Sequence, residues 1–337
     1  VWARRAVSVP LYVGIACALV VGAPAWLLFA GLADATLGPR WLWPRTRAMA
    51  FFTLFFLSEA LGVAVAALVW LRFGGGRLGG RERFLDANAA LQRAWSTTLF
   101  RGGLWLFSAR VELQDLGLAR RGPLLLFVRH ASAADTVLAA ALVANPNRLL
   151  LRYVLKRELL WDPCLDIVGR RLPNAFIDRA AARNQGEIDA IAGLADGLGP
   201  DSAVLIYPEG TRFAPQKLTR AIAKISLTSN AQTADIASQY RNVLPPRPGG
   251  ALALLDAAPE TDVVFLEHTG FEGAATLASF WRGGLVGATV RVRLRRFSRA
   301  AIPRDNRAVW LYERWAEMDG WIGAARDGEP QVAAERA

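Results

Sequence analysis

Two groups of residues in this chain could do chemistry. The first is His130 and Asp135 in "RHASAADT" (129–136). His130 stands at the end of an apolar run, "PLLLFVR" (123–129), and loops at strand C-termini gather function. A carboxylate bonded to one imidazole nitrogen fixes the tautomer and leaves the other nitrogen to accept a proton near neutral pH. On one ideal helix, residues five apart diverge by about 140°. With His130 before the first turn and Asp135 on it, the carboxylate can reach back to the ring. A structural reading competes: "S-A-A-D" (132–135) fits a capping box opening a helix near Ala133. That reading accounts for Ser132 and Asp135 and leaves His130 unexplained.

The second group is "YPEGTR" (207–212), directly after the apolar "AVLI". Gly210 allows a tight turn, Thr211 offers a hydroxyl, and Arg212 offers a planar fork suited to phosphate. Glu209 can orient the arginine or hold the loop. Taken alone, such a turn is only modestly specific.

The elements that must position these groups follow from periodicity. Short apolar runs at 123–129, 148–156, 175–178, 203–208 and 262–267 have strand length. Helical stretches at 133–144, 185–198 and 249–257 lie between them, so the expected fold is α/β, a largely parallel central sheet flanked by helices. "ATVRVRLRRF" (288–297) alternates strictly and predicts an edge or one-sided strand, with Arg291, Arg293 and Arg295 on a solvated face or against membrane headgroups. Residues 84–107 and 304–325 read as helices and the last residues as a frayed tail. "LWLF" (104–107) reads as a core segment.

Ahead of this the sequence predicts an N-terminal two-helix membrane hairpin, either spanning or re-entrant within one leaflet. Residues 11–32 carry no charge and 49–71 carry only Glu59, and each run can cross roughly 30 Å of hydrocarbon. Trp41, Trp43 and Pro44 suit the turn. Glu59 reads as a polar contact between helices. Arg4 and Arg5 before the hairpin, with Arg72, Arg77, Arg81 and Arg83 after it, outnumber Arg40, Arg45 and Arg47 in the loop, placing both chain ends in the cytoplasm. The expected domains are 1–78, hairpin and basic linker; 79–300, the α/β domain; and 301–337, a C-terminal helix and tail.

The net charge of +11 suits anionic lipid or phosphate-bearing substrates. No zinc-finger spacing, RNP-like motif or lysine-rich tail points to nucleic acid. Two cysteines, Cys17 and Cys164, make no disulfide framework. With two histidines and no metal-ligand cluster, no metal is expected, and His268 reads as a loop or core histidine.

The motifs together resemble the glycerolipid acyltransferases of the 1-acylglycerol-3-phosphate acyltransferase type. His130, Ser132 and Asp135 match that family's H-x4-D block, "AFIDR" (175–179) its second, and Tyr207–Arg212 its [FY]-P-E-G-T-R block. "NVLPP" (242–246) is the candidate for a fourth block, a proline-containing strand end. Lys217 behind the turn, "IPRDNRAVWLYERWAEMDGWI" (302–322) and the apolar pair resemble the lysocardiolipin-acyltransferase branch. One departure is Arg129, where asparagine usually precedes the histidine. The resemblance implies transfer of an acyl group from acyl-CoA or acyl-carrier protein to a lysophospholipid hydroxyl at a bilayer, with no cofactor. It makes His130 the base and Asp135 its orienting partner. Ser132, Arg179, Glu209, Gly210, Thr211 and Arg212 would bind substrate, with Lys156 and Lys217 as weaker candidates.

Overall fold

The computed structural model describes residues 1–37, 42–178 and 185–328, in two compact units. The first comprises 1–110, 155–178 and 276–288. It contains helices α1 (Trp2–Val21), α2 (Ala23–Leu37), α3 (Pro44–Arg72) and α4 (Arg81–Phe107). The uncharged run 11–32 is therefore not one helix. It breaks at Gly22, because Pro24 has no N–H to donate and its ring crowds the carbonyl four residues earlier. The helices long and apolar enough to cross a membrane are α1 and α3.

Arg4 and Arg5 are the charges that precede the first apolar run. They grip the buried Asp166, at 2.5 Å from Arg4 Nη2 and 2.7 Å from Arg5 Nε. A buried carboxylate needs such compensation. Glu59 is the expected interhelical contact: its Oε1 accepts from Trp95 Nε1 at 2.7 Å, and its Oε2 from the Cys164 N–H at 3.1 Å. α4 packs closely on α3 at Gly102, where a Cβ would lie 2.3 Å from Leu54 Cδ2 and displace that side chain. Both cysteines are free thiols.

The second unit comprises 111–154, 179–275 and 289–337 and holds most of a seven-stranded sheet. The strands are β1 (Arg110–Gln114), β2 (Leu124–Val128), β3 (Leu150–Lys156), β4 (Ala175–Ile177), β5 (Ser202–Ile206), β6 (Asp262–Thr269) and β7 (Thr289–Phe297). Leaving aside β4, which lies in the first unit, the order is β1-β7-β6-β2-β5-β3. β2 is buried at every position, "LLLFV", and runs parallel to both β5 and β6. Continuous apolar strands of this kind belong in the middle of a sheet covered on both faces. Register aligns Phe127 with Ile206 and Val128 with Leu266, so β2 and β5 end side by side, while β6 runs on to Thr269 against β7.

Three expectations are corrected or refined. β7 is an interior strand, paired antiparallel to β6 and flanked by β1. Its arginine face is half-buried and paired: Arg293 and Arg295 bind Glu267, Arg291 binds Glu112, and the helix Arg307–Asp327 lies over them, with Trp321 against Arg293. Second, the stretch 133–144 is helical as expected but irregular, a 3-10 turn at Ala134–Val137 running on into a π turn at Ala140–Ala144. Third, "NVLPP" is an irregular buried segment, not a strand end. Helices Pro215–Thr228 and Ala231–Ser238 and strand β1 had no assignment from periodicity. The expected frayed tail lies outside the described residues from 329 onward.

Candidate active site

His130 leaves the end of β2, and Tyr207–Arg212 leave the end of β5 beside it. The two segments are stitched together through the backbone of His130. Its N–H donates to Glu209 Oε1 at 3.0 Å, and its carbonyl accepts from the Phe213 N–H at 2.9 Å. The backbone of His130 is therefore held beside the E-G-T-R turn.

Asp135 reaches back as the spacing predicted. Its Oδ1 lies 3.0 Å from His130 Nδ1. Oδ2 accepts from the N–H groups of Ala131 at 2.6 Å and Ser132 at 2.8 Å. The carboxylate is fully buried. The capping reading is thus half right: the acid does take the Ser132 N–H, while the Ser132 hydroxyl accepts from Ala134 at 3.0 Å. With Nδ1 facing an acceptor, the proton sits there and Nε2 presents a lone pair. The Tyr207 ring packs 4.6 Å from the imidazole centroid, and its hydroxyl donates to the Asp135 carbonyl at 3.3 Å. The imidazole side chain remains 11% exposed, enough for one edge to meet a reactant.

Residues 110–252 match the family model of the acyltransferases. The chain carries an acyltransferase-family domain. Among solved structures it is similar to the 1-acyl-sn-glycerophosphate (LPA) acyltransferase PlsC from Thermotoga maritima. The TM-score is 0.56 at 14% identity, covering 86% of this chain and 100% of that one, a likeness of fold.

Within this acyltransferase domain the other expected residues divide. Gly210 takes φ +68, a left-handed conformation that favours glycine. Thr211 and the exposed Arg212 sit at the turn, and Lys217 Nζ braces it by donating to Thr211 Oγ1 at 2.9 Å and to the Arg212 carbonyl at 3.0 Å. Ser132 and Glu209 are both buried, and their oxygens accept from backbone N–H groups. Glu209 Oε2 also accepts from the Leu244 N–H at 3.1 Å, so one carboxyl ties the H-x4-D, E-G-T-R and "NVLPP" segments together. Burial pushes it up to about 8, outweighing Arg129 and the two N–H donors. Lys156 pairs with Glu158 at 2.8 Å in the first unit. Arg179 falls outside the described residues.

The sequence reading missed Arg247. A Cβ on Gly210 would meet its side chain at 3.2–3.4 Å, so this exposed arginine lies across the turn. Its position just after "NVLPP" was the available signal.

Glu209→Gln is expected to destabilise the protein by about 1–3 kcal/mol, because an amide NH2 would face a backbone N–H. The apparent melting temperature measured in detergent should fall with acyl transfer. An unchanged melting temperature would show that the brace contributes nothing.

Proposed function

We propose that this acyltransferase moves a fatty acyl group from a thioester to the free hydroxyl of a lysophospholipid, with 1-acylglycerol-3-phosphate as the preferred acceptor. The observation that carries the reading is the His130–Asp135 pair bonded into the same backbone network as the E-G-T-R turn. His130 Nε2 removes the proton as the acceptor oxygen attacks the thioester carbonyl. Asp135 steadies the imidazolium that forms. As the tetrahedral intermediate collapses, the C–S bond breaks and the imidazolium returns the proton to the departing thiolate. The products are the acylated lipid and a free thiol, and no acyl-enzyme is required.

The acceptor's phosphate is bound at the turn by Arg212, Thr211 and the Gly210 backbone, with Arg247 on the other side. Holding the anionic end sets the hydroxyl against His130, which supplies rate through positioning. An acceptor panel of lysophosphatidic acid, glycerol 3-phosphate and lysolipids with larger headgroups, offered with acyl-CoA and acyl-carrier-protein donors, tests the choice. Lysophosphatidic acid should turn over fastest. Arg212→Ala should lower acceptor use by about 10- to 100-fold, the worth of a charge-assisted bond, and change thioester hydrolysis less. Equal loss of both would assign Arg212 to the fold.

The lipid substrates explain the apolar helices. Leu28, Phe29, Leu61 and Leu68 on α2 and α3 are exposed, as suits surfaces solvated by acyl chains. Anchoring the chain in a membrane confines the reaction to the interface. With Arg4 and Arg5 engaged by Asp166, Arg72, Arg77, Arg81 and Arg83 are the cations that favour a catalytic domain on the cytoplasmic side.

A further inference from the structure

His268 lies near the end of β6, fully buried. Its Nε2 is 3.0 Å from the Arg129 carbonyl oxygen and 3.6 Å from Asp135 Oδ2. Both neighbours are acceptors, so Nε2 carries the proton. Nδ1 is buried with no hydrogen-bond partner among the described residues, as fits a neutral ring. Arg129 returns the contact, since its Nη1 donates to the His268 carbonyl at 2.6 Å. Each residue thus holds the other's backbone by its side chain, across the ends of neighbouring parallel strands. A buried ring nitrogen without a partner carries a cost, and a leucine could fill much of that space without it. The nearness of Asp135 gives the imidazole a reason to be there.

We propose that His268 is a positioning residue: its Nε2–H, fixed by the Arg129 carbonyl, faces Asp135 Oδ2 and sets the carboxylate that orients His130. The inference rests on the reading of His130 as the base. At 3.6 Å the contact is too long for a hydrogen bond and acts as a dipole on a charge, strengthened by the low dielectric around it. Oδ2 thereby faces His268 as well as the Ala131 and Ser132 N–H groups, leaving Oδ1 for His130. Partial compensation of Asp135 limits how tightly it holds the imidazolium, which must give its proton to the leaving thiolate. The charged groups around this cluster are Asp135, Arg129, Glu272 and Glu209. Burial lowers the His268 pKa, with Asp135 opposing and Arg129 assisting.

The test compares pH profiles of kcat/KM for the full chain in detergent, as wild type, His268→Gln and His268→Leu. The glutamine amide supplies a donor close to the ring's Nε2, and leucine supplies none. The leucine variant should keep its acceptor KM, lose about tenfold in kcat, and move the acid limb about half a unit to higher pH, the ordinary worth of one polar contact. Glutamine should restore both. An acid limb unmoved in the leucine variant, or displaced equally in both variants, overturns the inference. If leucine prevents folding, His268→Asn replaces it, since its amide stops short of Asp135; an asparagine profile matching glutamine also overturns it. Wild-type protein without acyl transfer, or a fully active His130→Ala, would sink the proposed function itself. A silent His268 beside an inactive His130→Ala sinks only this inference.

Discussion

His130→Ala should lower acyl transfer by about 10²- to 10⁴-fold, the usual worth of a positioned general base, with folding intact. The alanine keeps the backbone N–H and carbonyl that bind Glu209 and Phe213, so the stitch between the two segments survives. Asp135→Asn should cost a comparable factor for a different reason. An asparagine can turn its NH2 toward His130 Nδ1, which then becomes an acceptor and leaves the proton on Nε2, the wrong tautomer for a base. Its amide oxygen can still take the Ala131 and Ser132 N–H groups, so the loop is kept. Steady-state rates with a saturating thioester, beside circular dichroism of each variant, check both. A His130→Ala protein that folds and retains more than a tenth of wild-type kcat would refute the base.

Arg129→Ala should lose stability instead, by about 3–5 kcal/mol. The guanidinium is fully buried and bonds Glu272 Oε1 at 2.6 Å, the His268 carbonyl at 2.6 Å and the Asn242 carbonyl at 2.9 Å. Burial opposes ionisation of Glu272, yet Arg129 and Arg326 hold its carboxyl well below the usual carboxylate range. Removing Arg129 leaves Arg326, 2.7 Å away, to face that carboxylate and strips two interior carbonyls of a donor. Arg129→Lys should recover part of the loss, because one ammonium cannot reproduce the planar fork. Denaturant midpoints for the two variants would decide, and equal losses would mean that charge counts for nothing at this position. Arg129 is thus more than a change of neighbour beside the histidine. It joins the ends of β2 and β6 to the "NVLPP" segment, so its effect on His130 runs through the frame.

The His130–Asp135 contact was legible because it is local. Five residues at the exit of an apolar strand leave few ways to meet, and each works through the first turn. Glu209 was not legible in the same way. Its partners stand 79 and 35 residues away in the chain, and it binds backbone N–H groups that any residue type could supply. The turn itself left Glu209 to orient the arginine or hold the loop, and the resemblance made it a substrate ligand; its backbone partners carry no side-chain signal that could decide. Ser132 stood between a capping serine and a substrate ligand, and its hydroxyl accepts from the Ala134 N–H.

Sequence by itself determined the parallel character of the sheet, since β2 and β5 are apolar on both faces and only a doubly covered strand tolerates that. It also determined the left-handed turn at Gly210. Tertiary structure decided which charges are free. The alternation in β7 correctly sets its arginines on one face, but periodicity cannot say what covers that face, and the helix Arg307–Asp327 with Glu267 does. Arg4 and Arg5 are likewise spoken for by Asp166, more than 160 residues on. A repeat in sequence reports the geometry of one element, whereas the partner of a long charged side chain depends on the order in which elements pack.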